Sequence, residues 1–282
     1  MTAPLSIATP VDLRVQPVDT LLERVERSLQ VRFDRDTMVR KRRTVGARTD
    51  RDTWVRIERR PFNKIEGQGW NSAECAALLS VIRTPAWFGG VVWSDTAEAM
   101  MWRADESEPL PGDPVNPRTA LALSGEWWAA LNASLDVLAA HHTTRVATPD
   151  TVTVTQARVT QSIQAVFPGV LDTTIRNWAP AHADLTWANV TGPQFCLFDW
   201  EDWGMAPLGL DAAWLWGNSL AIPELAAQVR RERHRDLESR DGKLMALFFC
   251  SAIVGPHADP DDSRLWLAQM ETERLVAELQ AG

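Results

Sequence analysis

The sequence predicts an α+β fold in which a small β-rich N-lobe with one helix precedes a larger, mainly helical C-lobe. Two observations support this prediction. Most runs with the composition and alternation of strands lie in the N-terminal third, and helical spacing of apolar residues dominates the rest. The pattern changes between residues 103 and 108, just before a Pro- and Gly-rich connector. We therefore divide the chain into a loose N-terminal arm (1–18), an N-lobe (19–105) and a C-lobe (106–282).

The N-lobe begins with helical spacing and continues with strand-like runs. Leucine and valine recur every three or four residues at 20–29, which predicts a helix. The strand-like runs are 37–42, 53–59, 90–93 and 99–103. The connection between the first two runs begins at Gly46, which would supply the positive φ of a hairpin turn. A capped helix is predicted to begin after Asn71 or Ser72, with Glu74 in its first turn.

The C-lobe is predicted to be a set of helices around one hairpin. Apolar residues recur at helical spacing at about 125–140, 155–166, 211–220, 223–235, 243–254 and 261–279. Thr155 is interpreted as the N-cap of the second of these helices. The hairpin spans 181–204 and contains a short apolar run at 195–198, which indicates a buried strand.

Composition limits the possible function classes. The net charge of −8 argues against a nucleic-acid partner, because nucleic acids are polyanions. The three cysteines are far apart, which predicts free thiols rather than a disulfide framework or a zinc site. No run approaches the roughly 20 apolar residues of a membrane span, and the first residues lack a signal-peptide pattern. We therefore expect a cytoplasmic protein without a membrane partner, and the oligomeric state stays open.

The most informative stretch is an ordered series of polar residues in the predicted hairpin. It reads His182-Ala-Asp184-Leu-Thr-Trp-Ala-Asn189, and Asp199-Trp-Glu201 follows at the end of the apolar run. A carboxylate that faces a second carboxylate and an amide across a hairpin is suited to phosphoryl transfer. One carboxylate orients or deprotonates the attacking hydroxyl, while the amide and the other carboxylate hold Mg²⁺ on the nucleotide phosphates.

This series resembles the catalytic core of the aminoglycoside phosphotransferase-like kinases. That family carries His-Gly-Asp-Leu-His-x-x-Asn and then an apolar-apolar-Asp-Trp-Glu strand end. Here Gly204, Pro207 and Gly209 follow, and Asp211-Ala-Ala opens a helix where the family has Asp-Leu-Ala. The resemblance implies a bilobal protein-kinase-like fold, Mg²⁺ as cofactor, ATP or GTP as co-substrate and a small hydroxyl-bearing acceptor.

The resemblance also implies a role for each polar residue of the series. Asp184 would accept the proton of the acceptor hydroxyl, or at least orient that oxygen toward the γ-phosphorus. Asn189 and Asp199 would be metal ligands. His182 is interpreted as a scaffold residue that hydrogen-bonds the backbone rather than as a proton-transfer group. Asp211 is interpreted as a helix cap or loop anchor.

The N-lobe departs from the family pattern in the residue that should hold the nucleotide phosphates. Kinases of this type place a lysine on a strand and a glutamate on a helix to position it. Glu74 suits the glutamate role, but the strand at 53–59 contains no lysine. Either Arg56 replaces it, or Lys64 or Lys41 supplies the cation. A solvated strand arginine is an equally good interpretation of Arg56.

Three functions fit these features. The first is a kinase that phosphorylates a small molecule such as an aminoglycoside-like antibiotic, another natural product or a metabolite. The second is a catalytically weak or dead kinase-like protein that binds nucleotide or partners, which the missing lysine favours. The third is a Ser/Thr kinase of a peptide natural-product precursor. For any acceptor, Trp187 could form a wall of its pocket, because it lies inside the catalytic loop.

Overall fold

The computed structural model describes residues 12–65, 68–149, 152–169 and 171–281, without the side chains of residues 64, 68, 69 and 72. Contacts divide these residues into two compact units. Unit 1 contains 12–65 and Pro85–Pro109, and unit 2 contains Gln68–Thr84 and 110–281. The segment Gln68–Thr84 therefore belongs to the larger unit, whereas the sequence grouping placed it in the N-lobe. Of the predicted N-terminal arm, residues 1–11 lie outside the described part of the chain.

Unit 1 is one helix and a five-stranded antiparallel sheet. The helix is α1 (Asp19–Leu29), as the leucine and valine spacing predicts. The strands are β1 (Val39–Arg40), β2 (Thr44–Arg48), β3 (Trp54–Pro61), β4 (Trp87–Asp95) and β5 (Met100–Ser107). Their order in the sheet is β1-β2-β3-β5-β4. Strand alternation gives the sheet two chemically different faces.

The two faces of the unit 1 sheet are apolar and polar. On β3, Val55 and Ile57 are fully buried in the unit 1 core together with Leu22 and Val25 of α1. The alternate residues of the central strands β3 and β5 form what we call the polar face: Trp54, Arg56, Glu58, Arg60, Met101, Arg103, Asp105 and Ser107. The register places Arg56 opposite Asp105, and Glu58 opposite Arg103.

The predicted role of Gly46 as a turn residue is wrong. Gly46 lies inside β2, paired with Arg56, and the hairpin turn comes later, where the Thr49 N–H donates to the Thr53 carbonyl at 2.9 Å. A Cβ atom on Gly46 would lie 2.5 Å from the ring of Trp54. Glycine is needed at this position because the indole of Trp54 lies across its backbone.

Unit 2 is mainly helical, as predicted. Its helices are α2 (Ser72–Ala76), α3 (Gly125–Ala139), α4 (Gln156–Val166), α5 (Leu210–Gly217), α6 (Pro223–Glu232), α7 (His234–Leu237), α8 (Arg240–Val254) and α9 (Leu265–Ala281). The predicted cap of α4 is confirmed, because the Thr155 hydroxyl accepts from the Arg158 N–H at 3.1 Å. Two short antiparallel pairs join β6 (Asp113–Pro114) to β8 (Thr191–Gly192) and β7 (Trp178–Ala181) to β9 (Gly204–Pro207).

Two local predictions in unit 2 need correction. The helix expected after Asn71 is only one turn long, and the Asn71 side chain does not cap it. Its Oδ1 instead accepts from Arg145 at 3.2 Å. The run at 195–198 is not a regular strand, because Leu197 makes only an isolated antiparallel bridge with Val190. None of the described helices is long and apolar enough to cross a membrane, and all three cysteines are free thiols.

Candidate active site

The loop after β7 is held by a carboxylate from α5. The backbone N–H groups of His182 and Ala183 donate to Asp211 at 2.7 and 2.8 Å. Asp211 is the second residue of α5, so its carboxylate also lies at the positive end of the helix dipole. Burial raises the pKa of this carboxyl, while the neighbouring His182 and the two N–H groups act in the opposite direction. Asp211 is therefore an anchor of the loop, one of the two roles considered from the sequence.

His182 links the loop to the other arm of the hairpin. Its ring is fully buried, and Nε2 lies 2.9 Å from the Phe198 carbonyl oxygen. Because a carbonyl only accepts, Nε2 carries the proton in this bond. The ring also meets the edge of Trp200 at a centroid distance of 4.8 Å. These contacts are the kind that a scaffold residue makes.

The structure brings Asp184 and Asn189 together. The Asn189 Nδ2 atom donates both to the Asp184 carbonyl and to its Oδ2, each at 2.8 Å. Asn189 is buried, whereas Asp184 is partly exposed. Since the amide nitrogen faces the carboxylate, the amide oxygen Oδ1 is the atom of Asn189 that could bind a cation.

Asp199 is tied to Asn189 through the backbone of the hairpin. The Phe198 N–H donates to the Asn189 carbonyl at 3.0 Å, and the Phe198 carbonyl contacts His182, so this residue is held by both of its backbone polar groups. Asp199 follows with φ 64° and ψ 57°, in the left-handed region that aspartate tolerates better than most residues. A short 3₁₀ turn, Trp200–Asp202, begins after it.

The donor set of these three residues fits a hard divalent cation. Two carboxylates and an amide oxygen are the ligand types that Mg²⁺ prefers. Among the described residues there is no group of three or more His, Cys, Asp and Glu side chains arranged for a metal. A cation here would therefore have Asn189 and Asp199 as its protein ligands, because Asp184 is assigned to the acceptor hydroxyl, and phosphate and water would supply the remaining ligands.

Trp187 is not a pocket wall, contrary to the sequence-based expectation. Its indole is buried in unit 2, stacked on Trp127 at 6.1 Å between ring centroids and edge-on to Trp128 at 5.9 Å. Its Nε1 donates to the hydroxyl of Ser219 at 2.9 Å. Trp200 and Trp203 are buried as well. Sequence reasoning placed Trp187 by its position in the loop and missed that its side chain turns into the core.

The polar face of the unit 1 sheet contains more cations than the sequence analysis considered. Arg56 has a 41% exposed side chain and lies 3.5 Å from Glu58. Glu58 also accepts from Arg60 at 2.5 Å, and Arg103 donates twice to Asp105. Strand alternation from Arg56 could have identified Arg60 as a third charged residue on the same face.

The other three sequence candidates, Lys41, Lys64 and Glu74, lie outside the strands of this sheet. Lys41 is an exposed residue of the turn between β1 and β2. Lys64 ends a 3₁₀ turn (Phe62–Lys64), and its side chain is outside the described part of the structure. Glu74 is an exposed residue of α2 and belongs to unit 2. The predicted phosphate contact of a lysine and the predicted role of Glu74 in positioning the cation stay predictions.

Comparisons with known proteins point to one fold. No protein-family model matches the chain, and no curated protein sequence matches it. Among solved structures, the amicoumacin kinase hAmiN, solved with AMP-PNP, Ca²⁺ and Ami, has a TM-score of 0.56 at 12% identity, with 95% of each chain covered. A choline/ethanolamine kinase family protein from Mesorhizobium loti gives 0.52 at 16% identity, covering 85% of this chain and 90% of that one. The aminoglycoside phosphotransferase APH(4)-Ia gives 0.53 at 13% identity, covering 86% and 92%.

These similarities confirm the predicted fold class. The chain has the protein-kinase-like fold of the aminoglycoside phosphotransferases, with an antiparallel sheet in the N-terminal part and a larger helical part after it. At this level of identity the structural likeness concerns the fold, and a shared fold does not carry an activity with it. The function has to be argued from the residues of the loop and the hairpin.

Proposed function

We propose that this protein is a phosphotransferase that moves the γ-phosphoryl group of ATP or GTP to a hydroxyl group of a small molecule. The observation that carries the proposal is the hydrogen-bonded pair Asp184–Asn189, with Asp199 joined to the same pair through the hairpin backbone. The fold agrees with this proposal, because kinases of the same fold were solved with AMP-PNP and with GDP.

Asp184 is proposed to act on the acceptor hydroxyl. A carboxylate is ionised at neutral pH and can accept the hydroxyl hydrogen bond without a raised pKa. The Asn189 amide donates to Oδ2 of this carboxylate and thereby restricts its rotation. A positioned acceptor of this kind orients the attacking oxygen and takes its proton as the bond to phosphorus forms.

Asn189 and Asp199 are proposed to hold Mg²⁺ on the nucleotide phosphates. When bound, Mg²⁺ would neutralise the charge that develops on the phosphate oxygens. Oδ1 of Asn189 supplies a hard oxygen without adding charge, and Asp199 supplies a carboxylate. Arg56 and Lys64 are our candidates for a phosphate-binding cation, with Lys41 as a further alternative and Glu74 as a supporting carboxylate.

A weakly active or inactive nucleotide-binding protein is the second candidate. The observation that favours it is on β3, where Glu58 lies between Arg56 and Arg60 and forms ion pairs with both. Carboxylates paired with arginines compete with phosphate for them. The acceptor of an active enzyme is proposed to be an aminoglycoside-like antibiotic, another natural product or a metabolite, and a serine or threonine of a peptide precursor is the alternative.

The two candidates are separated by comparing nucleotide binding with turnover. Thermal unfolding is measured with ATP or GTP and Mg²⁺, and ADP or GDP release is followed with a panel of hydroxyl acceptors. Asp199→Ala should abolish the Mg²⁺-dependent stabilisation by nucleotide, because the metal loses a carboxylate ligand. Asp184→Asn should keep that stabilisation and lose turnover.

The matched control is Asp172→Ala, which removes an aspartate of unit 2 with a 62% exposed side chain, paired with Arg240. It should change neither nucleotide stabilisation nor turnover. Wild-type protein without a nucleotide-dependent shift in Mg²⁺ or Mn²⁺ would contradict both candidates. A shift without turnover on any acceptor would favour the inactive protein.

A further inference from the structure

Helix α5 and the turn that follows it contact the 182–189 loop at two places, and only the first involves a predicted site residue. Near its start, Asp211 accepts from the backbone of His182 and Ala183. Two residues after its end, Ser219 accepts from the indole Nε1 of Trp187 at 2.9 Å. The loop is thus held before Asp184 by α5 and again after it by the turn that follows α5.

The second contact has defined donors and acceptors. The Ser219 hydroxyl donates to the Leu215 carbonyl at 2.7 Å, so its lone pairs are left to accept from Trp187. Ser219 is 1% exposed and Trp187 is 2% exposed. Solvent water therefore does not reach this hydrogen bond. Removing the serine hydroxyl would leave a buried indole N–H without a partner.

Helix α3 packs on the other side of the same indole. Trp127 stacks on Trp187, and its own Nε1 donates to the Thr191 carbonyl at 2.8 Å. Trp127 also meets the edge of Phe195, at 5.4 Å between centroids. The Trp187 ring is therefore surrounded by residues that also hold the hairpin leading to Asp199.

We infer that Trp187 is a positioning residue for Asp184 and Asn189, and that Ser219 is its anchor. This inference rests on the proposed phosphotransferase function. Trp187 lies between the two site residues, and the Asn189 N–H donates to the Thr186 carbonyl at 3.0 Å, so this turn moves as one piece. A shift of the indole changes where the Asp184 carboxylate and the Asn189 amide meet, and small displacements of that kind reduce turnover strongly.

The test compares Ser219→Ala with Ser251→Ala. Ser251 is a matched control because it is also buried, and its hydroxyl donates to the Leu247 carbonyl four residues earlier at 2.8 Å. Ser219→Ala should lower kcat by about tenfold, with the nucleotide KM within about twofold of wild type. Ser251→Ala should change both by less than about twofold. The rates are normalised to folded protein, so a loss of stability alone does not move them.

A second set of variants tests the bond itself. Ser219→Thr retains the hydroxyl and should restore most of the kcat. Trp187→Phe removes the donor, and adding Ser219→Ala to it should lower kcat by less than about twofold more, because donor and acceptor are then both gone. Unchanged kcat in Ser219→Ala, or full additivity in the double variant, would overturn the inference.

Amide hydrogen exchange separates this inference from the proposed function. If wild-type protein has no turnover, the phosphotransferase proposal fails. The exchange rate at residues 183–189 still measures how firmly the loop is anchored. Faster exchange there in Ser219→Ala than in Ser251→Ala supports the anchoring role. Equal exchange in the two variants contradicts it.

Discussion

The loop of unit 2 and the polar face of unit 1 use charged side chains in opposite ways. In the loop, Asp211 binds two backbone N–H groups, and the imidazole of His182 binds a carbonyl sixteen residues away in the sequence. On the polar face, Arg60 pairs with Glu58 and Arg103 with Asp105, each two residues away on its own strand. Bonds of the first kind hold distant backbone segments together. Bonds of the second kind neutralise neighbouring charges on one strand, and the strands themselves are joined by the backbone hydrogen bonds of the sheet.

This difference predicts where substitutions will have large effects. Buried side-chain bonds to backbone leave unsatisfied groups when they are broken, which costs about 1–3 kcal/mol each. The ion pair between Glu58 and Arg56, whose side chain is 41% exposed, is by comparison worth about 0.2–1 kcal/mol. We therefore expect the loop to respond to substitution in turnover and stability, and Arg56 of the polar face to respond mainly in its affinity for anions.

The largest effect is expected at Asp211. Asp211→Asn keeps one acceptor oxygen, so one of the two N–H groups of the loop loses a good partner. Unfolding free energy should fall by about 1–3 kcal/mol, and turnover by about a hundredfold, because the backbone beside Asp184 moves. Urea unfolding and steady-state kinetics measure the two quantities.

Asp241→Asn is the control for this substitution. Asp241 is also buried and accepts from the backbone N–H groups of Arg176 and Asn177 at 3.0 and 2.8 Å. It should lose a similar amount of stability with turnover per folded molecule within about twofold of wild type. A hundredfold loss of turnover in Asp241→Asn as well would show that the effect of Asp211→Asn on turnover is not specific to the loop.

A smaller effect is expected on the polar face, where one substitution should improve nucleotide binding instead of impairing function. If its arginines bind nucleotide phosphates, Glu58→Gln removes the competing carboxylate and should tighten nucleotide binding by about threefold. Arg56→Ala should weaken binding by about tenfold, whereas Lys64→Ala would do so only if that lysine is the phosphate contact. Titration calorimetry at two salt concentrations measures the affinities.

Glu98→Gln makes the same change of charge elsewhere in unit 1. Glu98 has a 54% exposed side chain and lies 3.7 Å from Arg59, which is on the other face of the sheet from Arg56. Its substitution should leave nucleotide affinity unchanged. Unchanged affinity in both glutamine variants and in Arg56→Ala would refute a phosphate-binding role for the polar face.

The smallest effect on stability is expected at two alanines with positive φ, one in each unit. Ala99, in the β4–β5 turn, has φ 53° and is exposed, whereas Ala183, at the family's glycine position, has φ 70° and is buried. Ala99→Gly should stabilise the protein by about 1 kcal/mol through relief of backbone strain. Ala183→Gly relieves the same strain but removes a buried methyl group worth about 0.8 kcal/mol, so its net effect should be close to zero.

Urea unfolding of the two glycine variants measures this difference. Stabilisation of equal size at both sites would show that the methyl group of Ala183 contributes nothing to packing. Kinetics adds a second comparison, since only Ala183 adjoins Asp184 and only its substitution is expected to alter turnover.

Local sequence patterns were sufficient for most of the architecture. Apolar periodicity predicted α1 and six helices of unit 2 (α3, α4, α5, α6, α8 and α9), and the side-chain chemistry of Thr155 predicted the cap of α4. The spacing of Asp184 and Asn189 predicted that they act together, and the structure places them in hydrogen-bond contact. These features depend on residues close together in the chain, where helix and loop geometry limits the possible distances.

The remaining features depend on residues that are distant in the sequence. Glycine at position 46 indicates a turn if only the local sequence is considered. The space for a side chain there is in fact occupied by the Trp54 ring. The run at 195–198 has strand composition, yet the Leu197 N–H donates to the Arg83 carbonyl instead of to a neighbouring strand. The contact of Trp187 with Ser219, thirty-two residues away, could not be read from the loop.

The sequence by itself determined the class of the fold, the order of most of its helices and the identity of the polar residues that a phosphotransferase would need. Only the tertiary structure decided which residues hold them: it selected the anchor role of Asp211 over that of a helix cap, and it added Ser219 and Trp127. The physical reason is that helical periodicity and capping are short-range properties of the chain. The partner of a buried N–H group is decided instead by how distant segments pack around it.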